Sequence, residues 1–393
     1  MTDNAGSTAP ELRVALFTGN YNYIKDGVAL TLNRLVAFLL NRDIPVLIFA
    51  PTKPEPAFPS VGELVSVPSF AIPTRPEYRI ATGLPKAARE RLKAFRPTLF
   101  HIAVPDVLGY QALKLARQWG VPAVASYHTR YDTYLRFYGL GLLEKLGQRY
   151  LRSFYNQVRR VYPPSDSMAE IIRETGQSSH VEVWARGVDG DLFSPAKRDR
   201  KWRRAVGLAD DEIAVSFAGR LVKEKNTAIV VRVLSALKAR GLRIRPLIIG
   251  DGPEMAVMKA GLNDGIFPGF LHDEDLARAY ASSDIFFFPS ESETFGNVTL
   301  EAMASGLPAV NAISSGSNSL VIEGVTGHLV SARDEAGLAA RIAALALDAK
   351  MRQAMGDRAR TRALEFSWDA ILSGLLDSYA KVLSEAQAEK DGR

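Results

Sequence analysis

A short apolar run, a glycine-bearing loop, a helical stretch and a second apolar run follow one another between Arg13 and Ala50. The runs Arg13–Phe17 and Pro45–Ala50 have the length and composition of buried strands. Between them, from Val28 to Asn41, Ala29, Leu32, Leu35, Val36, Leu39 and Leu40 recur at helical spacing. Strand, helix and strand in that order build a βαβ unit, and hence a parallel sheet covered by helices. The loop has no G-x-G-x-x-G, so a dinucleotide site is not expected there.

The same alternation continues. Thr98–Ala103, Val121–Tyr127 and Val161–Ser165 read as strands, and Pro85–Pro97, Leu108–Gln118 and Asp166–Arg173 as helices. Residues 51 to 80, rich in proline, are expected to be irregular. From Ile213 the architecture repeats. Ile213–Gly219, Arg245–Gly250, Ile266–Leu271 and Ile285–Pro289 are strands, with helices at Thr227–Arg240 and Asp275–Ser282. Two further helices precede a last one, opened by Phe366-Ser-Trp368 and ending near Ala388; the charged tail Ala386–Arg393 is expected to fray. The reading is an α/β protein with two parallel-sheet domains, 1–193 and 194–365, and a terminal helix, 366–393.

Composition narrows the partners. The chain has 393 residues, 47% hydrophobic and 23% charged, as in a globular protein of two domains. No apolar run reaches the roughly 18 residues of a membrane span, and Met1–Glu11 has no apolar core of a secretion signal, so a cytoplasmic location is expected. Cysteine is absent and the five histidines are scattered, which leaves no metal-ligand spacing. Nearly all of the formal charge of +6 falls before Pro195. That bias suits an anionic membrane, acidic substrates or nucleic acid, or simple solubility. Basic and aromatic residues alternate from Tyr131 to Val161, which describes an interfacial surface or equally a helix with a core stripe.

Ser290–Gly306 is the stretch richest in chemistry. A strand ends at Pro289, a loop carries Glu291 and Glu293, and a helix starts near Phe295-Gly296. Free N–H groups at a helix start make an anion site, and Gly296 allows close approach. Acids beside an anion site make sense if they bind hydroxyls, and a sugar nucleotide offers a diphosphate between two polyols. Arg220 and Lys225 flank one turn after a strand, where two cations can clamp a diphosphate. His128 follows a buried strand at the carboxyl edge of the first sheet, where α/β proteins bind ligands. A lone histidine or a pair of surface cations also has a purely structural reading.

Glu293-x7-Glu301 with Phe295-Gly296 resembles the signature of retaining glycosyltransferases of family 4, which have the GT-B fold. Gly219-Arg-Leu-Val-Lys-Glu-Lys-Asn226 is similar to the family's phosphate loop, with Asn226 in place of a glycine; Asn tolerates a left-handed conformation. The turn Gly250-Asp-Gly-Pro253 matches a further family element. Ala309–Leu320 departs from the family's Gly-Gly-x-x-Glu form. Trp184-x-Arg186-Gly-Val-Asp189 looks most like the glycolipid-forming branch, which includes sulfoquinovosyl and mannosyl transferases.

The resemblance implies two Rossmann-like domains around a cleft, the last helix crossing back to the first, and a metal-independent transfer with no cofactor. It implies Glu301 on the ribose and Glu293 on the sugar, with Arg220, Lys225, Thr294, Phe295, Gly296 and Asn297 about the diphosphate. Gly27, Gly219 and Gly252 would allow close approach, Phe270 and Leu271 would border the base, and His128 would meet the sugar. UDP-linked sugars and GDP-mannose both fit. Lys86, Arg89, Lys93, Arg130, Arg136, Arg149 and Arg152 are the candidates for a lipid or lipid-linked acceptor and an anionic membrane surface. A soluble acceptor, or a nucleotide-sugar hydrolase or epimerase, shares the donor motifs. A phosphorylase would need a cofactor lysine that has no match here. A non-catalytic binder would be expected to have lost Glu293, Arg220 or Lys225.

Overall fold

The computed structural model describes residues 11–72, 75–128 and 144–392. The chain divides into two units: Met1–Trp184 together with Leu372–Arg393, and Ala185–Ile371. Each is built on a six-stranded sheet.

In the first unit the strands are β1 (Val14–Phe17), β2 (Val46–Ala50), β3 (Glu63–Ser66), β6 (Leu99–Ile102), β7 (Ala123–Ser126) and β8 (Val161–Tyr162), with a hairpin of β4 (Ser69–Ile72) and β5 (Arg75–Ala81) alongside. All the sheet pairings are parallel and the order is β3-β2-β1-β6-β7-β8. Strands covered on both faces must be apolar throughout, and β1, β2, β6 and β7 are buried at every position. Phe17 stacks on Phe49 and Phe100 at ring distances of 5.0 and 5.3 Å, so three neighbouring strands share one aromatic layer.

The second unit repeats the topology. Its strands are β9 (Ile213–Ala218), β10 (Ile244–Ile249), β11 (Ile266–Gly269), β12 (Ile285–Phe288), β13 (Ala309–Ala312) and β14 (Gly327–Val330). They are all parallel, in the order β11-β10-β9-β12-β13-β14. Counted within each sheet, both orders are 3-2-1-4-5-6, the doubly wound arrangement of a Rossmann-like fold. In such a sheet the order reverses beside the first strand, and the loops leaving the first and fourth strands part to form a crevice.

Two expectations are corrected, and one element is added to them. Residues 51–80 are not irregular: β3 is the edge strand of the sheet, and β4 and β5 pair beside it. None shows the buried apolar run that marks β1, β2, β6, β7 and β12; β3 and β4 are half-exposed or exposed at each position. A helix at Met255–Gly261, too short for a periodic signal, follows β10. The tail does not fray at Ala386. The last helix runs from Trp368 to Asp391, and its end is held by ion pairs from Arg159 to Glu389 and from Arg160 to Glu385.

From Leu372 onward this helix belongs to the first unit and supplies part of its interior. Tyr379 bonds His101 Nδ1 through its hydroxyl, and His101 Nε2 bonds Ser126 Oγ. Tyr162 and Glu182 both bond Ser378, at 2.8 and 2.7 Å. His101 is wholly buried, and burial lowers its pKa to about 3, so the ring is neutral.

Candidate active site

In the second unit the crevice lies between the loops after β9 and β12. The first loop leaves the sheet at Gly219, with φ of +141°, and ends in a short 3-10 turn, Lys223–Lys225. Asn226 then takes the left-handed conformation, φ 54° and ψ 40°, and starts the helix Thr227–Ala239. That is the role expected of a residue standing where a glycine is usual. Its side-chain amide donates to Pro289 O at 2.8 Å and ties the loop to the end of β12.

The second loop, Pro289–Gly296, holds the acids. Lys225 is ion-paired with Glu293 and also reaches Ser292 Oγ at 3.2 Å. The side chains of Lys225 and Glu293 are 16% and 19% exposed. The Glu293 main-chain carbonyl accepts from Gly316 N at 2.9 Å and from Ser315 Oγ at 3.0 Å. The segment that departs from the family form thus becomes β13 and a short helix, Ser315–Leu320, that buttresses the acid loop. Phe295 is buried against Phe366, 6.0 Å between rings. Gly296, φ 99°, is the N-cap of the helix Asn297–Ala304 and no side chain caps it. Thr299 N–H already bonds Gly296 O at 3.0 Å, so the N–H groups of Asn297 and Val298 are the ones open to a ligand or water. Glu301 lies one turn further on, half-buried.

Other residues expected around the donor fall as follows. Arg220 is exposed and paired with Glu224 at 3.1 Å, so of the two cations only Lys225 meets Glu293. Gly252 has φ of +153°, and a Cβ there would lie 2.4 Å from Leu221 O; the glycine is required by contact between the loops after β9 and β10. Phe270 stands 67% exposed at the end of β11, 6.2 Å from the His272 ring, with Leu271 beside it half-exposed.

In the first unit, Gly27 is the first residue of the helix Gly27–Leu40. Asp26 caps that helix, accepting from Val28 N at 3.0 Å and Ala29 N at 2.9 Å, and from Asn20 Nδ2 at 2.6 Å. Burial raises the Asp26 pKa. His128 follows β7, buried against Trp184 at 5.8 Å. Lys86, Arg89 and Lys93 lie exposed on the helix Lys86–Phe95. Arg149 and Arg152 are exposed on the helix Glu144–Tyr155, whose inner face places Leu151, Phe154 and Tyr155 in the core. Lys145, Arg149, Arg152, Ser153, Asn156 and Gln157 line an open groove of about 700 Å³ on its outer face. Leu146 and Tyr150 are 63% and 40% exposed. Arg130, Arg136 and the stretch from Tyr131 to residue 143 lie outside the described residues.

Sequence reasoning missed the Asp26 cap. An acid directly before a helix was signal enough for it.

Two doubly wound sheets with a basic and acidic crevice in the second define a GT-B glycosyltransferase. The solved sucrose-phosphate synthase of Thermosynechococcus elongatus has the same fold, with a TM-score of 0.77 at 20% identity over 95% of this chain and 100% of that one. The chain belongs to glycosyltransferase family 4: the model described as Glycosyltransferase Family 4 matches residues 25–192, and that described as Glycosyl transferases group 1 matches 198–362. It is 32% identical over 378 residues to the GDP-mannose-dependent alpha-mannosyltransferase of Mycolicibacterium smegmatis, 95% of this chain and 98% of that protein. It is 26% identical over 383 residues to the alpha-monoglucosyldiacylglycerol synthase of Streptococcus pneumoniae, covering 92% and 87%.

Proposed function

We propose that the protein transfers a hexose, with retention, from a nucleoside diphosphate sugar to a hydroxyl of a membrane lipid or lipid-linked glycan, without a metal ion. The observation that carries this reading is the Lys225–Glu293 pair beside the uncapped helix start at Gly296, at the switch point of the second sheet.

The bond that breaks joins the anomeric carbon to the diphosphate, and negative charge grows on the leaving oxygen. Lys225 and the N–H groups of the first helical turn would stabilise that charge from fixed positions. Glu293 would hold sugar hydroxyls and Glu301 the ribose. Arg220, exposed at the rim, would join when the diphosphate is bound. Attack and departure on one face give retention, with the leaving phosphate taking the acceptor's proton.

GDP-mannose is the first donor to test, given the name of the mycolicibacterial relative; UDP-linked sugars are the second. The lipid acceptor rests on the Trp184–Asp189 pattern, on the name of the diacylglycerol-directed relative, and on the basic outer face of the helix Glu144–Tyr155. No helix of the described residues is long and apolar enough to cross a membrane. The proposed location is the inner face of the cytoplasmic membrane, held peripherally through that basic face.

Thermal unfolding with GDP, UDP or ADP added separately tests the donor site. A nucleotide at 100 times its Kd stabilises by about 2.7 kcal/mol. A shift with one nucleotide selects the donor class, and no shift with any overturns the site. Turnover of the matching nucleotide sugar, assayed with and without lipid extract and with EDTA, tests the rest. Nucleotide release that does not depend on acceptor would indicate a hydrolase, and loss with EDTA would overturn the metal-free reading.

A further inference from the structure

Arg362, in the last turn of the helix Ala349–Leu364, makes two contacts that both lead to the acid loop. Its Nη2 donates to Ser319 O at 3.2 Å, on the short helix Ser315–Leu320. Ser319 Oγ donates back to Ser315 O at 3.1 Å, and Ser315 Oγ donates to Glu293 O at 3.0 Å. The guanidinium carbon of Arg362 also lies 4.9 Å from the centre of the Phe366 ring, within cation–π distance. Phe366 meets Phe295 edge-on, 6.0 Å between rings at 69°, and Phe295 is the residue before Gly296. The main chain pins Phe366 in turn. Its N–H donates to Ala363 O at 3.1 Å, and its carbonyl accepts from Val188 N at 2.8 Å.

This placement has a cost. Arg362 Nε is buried and makes no hydrogen bond among the described residues, whereas water would serve it on the open surface. What the position gains is particular to a guanidinium, which offers a flat face to a ring and in-plane donors to a carbonyl. One cation thereby holds both ends of the loop, Glu293 through the short helix and Phe295 through a ring. Its remaining arm pairs with the exposed Glu365.

We propose that Arg362 is a positioning residue for the diphosphate site: through Ser319 and Phe366 it sets the spacing between Glu293 and the helix that begins at Gly296. This rests on the reading of that helix start and the Lys225–Glu293 pair as the seat of the diphosphate. A loop fixed beforehand presents its groups without the entropy of ordering them when the nucleotide arrives. The effect falls on the diphosphate rather than on the base, whose expected neighbours Phe270 and Leu271 follow β11.

Calorimetric titration of GDP and UDP, each against its monophosphate, tests this on the wild type, Arg362→Met, Phe366→Leu and Glu365→Gln. The wild type should favour the diphosphate. Arg362→Met keeps an apolar stem and removes the guanidinium. It should cut that preference by about three- to tenfold, the scale of one hydrogen bond, with monophosphate affinity unchanged. Phe366→Leu should do the same, and Glu365→Gln should keep the full preference, since an exposed ion pair contributes little. An Arg362→Met protein that keeps the preference, or that weakens both nucleotides alike, overturns the role of Arg362. An equal loss in Glu365→Gln also overturns it, by assigning the effect to charge at the helix end. Full preference in Phe366→Leu overturns the path through Phe295. Wild-type protein that binds diphosphate and monophosphate equally overturns the reading of the diphosphate site itself.

Discussion

Lys225 and Glu293, on the loops after β9 and β12, form an ion pair with both side chains largely withdrawn from solvent. Any diphosphate that draws on Lys225 must compete with that carboxylate. Glu293→Gln removes the competitor and one negative charge. It should therefore bind free GDP or UDP at least as tightly as the wild type while transferring sugar about 100-fold more slowly, the scale of one preorganised electrostatic contact. Weaker nucleotide binding in Glu293→Gln would show that the pair helps the site rather than restrains it.

Lys225→Ala and Glu301→Ala should each lose over about 100-fold in kcat/KM, with Lys225→Ala also weakening the nucleotide. Normal turnover in both variants would remove the donor site from this crevice.

The short helix Ser315–Leu320 lies tight against the acid loop. A Cβ on Gly316 would stand 2.5 Å from Phe295 O, with more of the Phe295 main chain within 2.8 Å. Main chain cannot swing aside, so Gly316→Ala must lift the helix and strain its two bonds to Glu293 O. The expected cost is about 1–3 kcal/mol of stability, seen as a lower Tm, with a loss of turnover. Gly374→Ala, which meets nothing within 4 Å on the last helix, is the control.

Acid should act through His101 and Asp106 in opposite directions. The pKa of His101 falls from 6.5 to about 3 in the folded protein, so the unfolded chain takes its proton first, and stability drops as pH falls from about 6.5. Burial raises Asp106 from 3.8 to about 6, so the folded chain binds that proton first, and stability rises as pH falls from about 6 to about 4. The two offset each other in the wild type. His101→Gln removes only the first, so its stability deficit at pH 7 should shrink by about 1.4 kcal/mol per pH unit below about 6. Parallel pH profiles of Tm for the two proteins would exclude this.

The outer face of the helix Glu144–Tyr155 should bind anionic membrane. Lys145→Glu with Arg149→Glu should weaken co-sedimentation with phosphatidylglycerol vesicles by at least tenfold, since each basic residue contributes about 1 kcal/mol near such a surface. Unchanged co-sedimentation would move the contact elsewhere.

How much of this was legible in the sequence follows from the physics of each part. Strands buried on both faces announce themselves, and β1, β9 and β12 were readable to within a residue or two. The half-exposed strand β3 and the hairpin beside it were hidden among prolines. The acid loop was legible because a strand, two acids, a glycine and a helix are adjacent in the chain. What holds that loop was not, because Asn226, Ser315 and Gly316 reach it through space. In the sequence Arg220 and Lys225 were equals, and only the fold distinguishes a cation paired with Glu293 from one at the rim.

His101 lies in the middle of the first unit, and Tyr379, which bonds it, comes 278 residues later in the chain. Synthesis must therefore reach the last helix before the first sheet acquires its full interior. The second unit is continuous in sequence and is finished earlier. At about 5–20 residues per second, the ribosome leaves the first sheet incomplete for roughly 10 to 40 s after its own strands have emerged. The half of the enzyme made first is the half that matures last, and a truncation that spares every donor-site residue would still leave it exposed to chaperones and proteases.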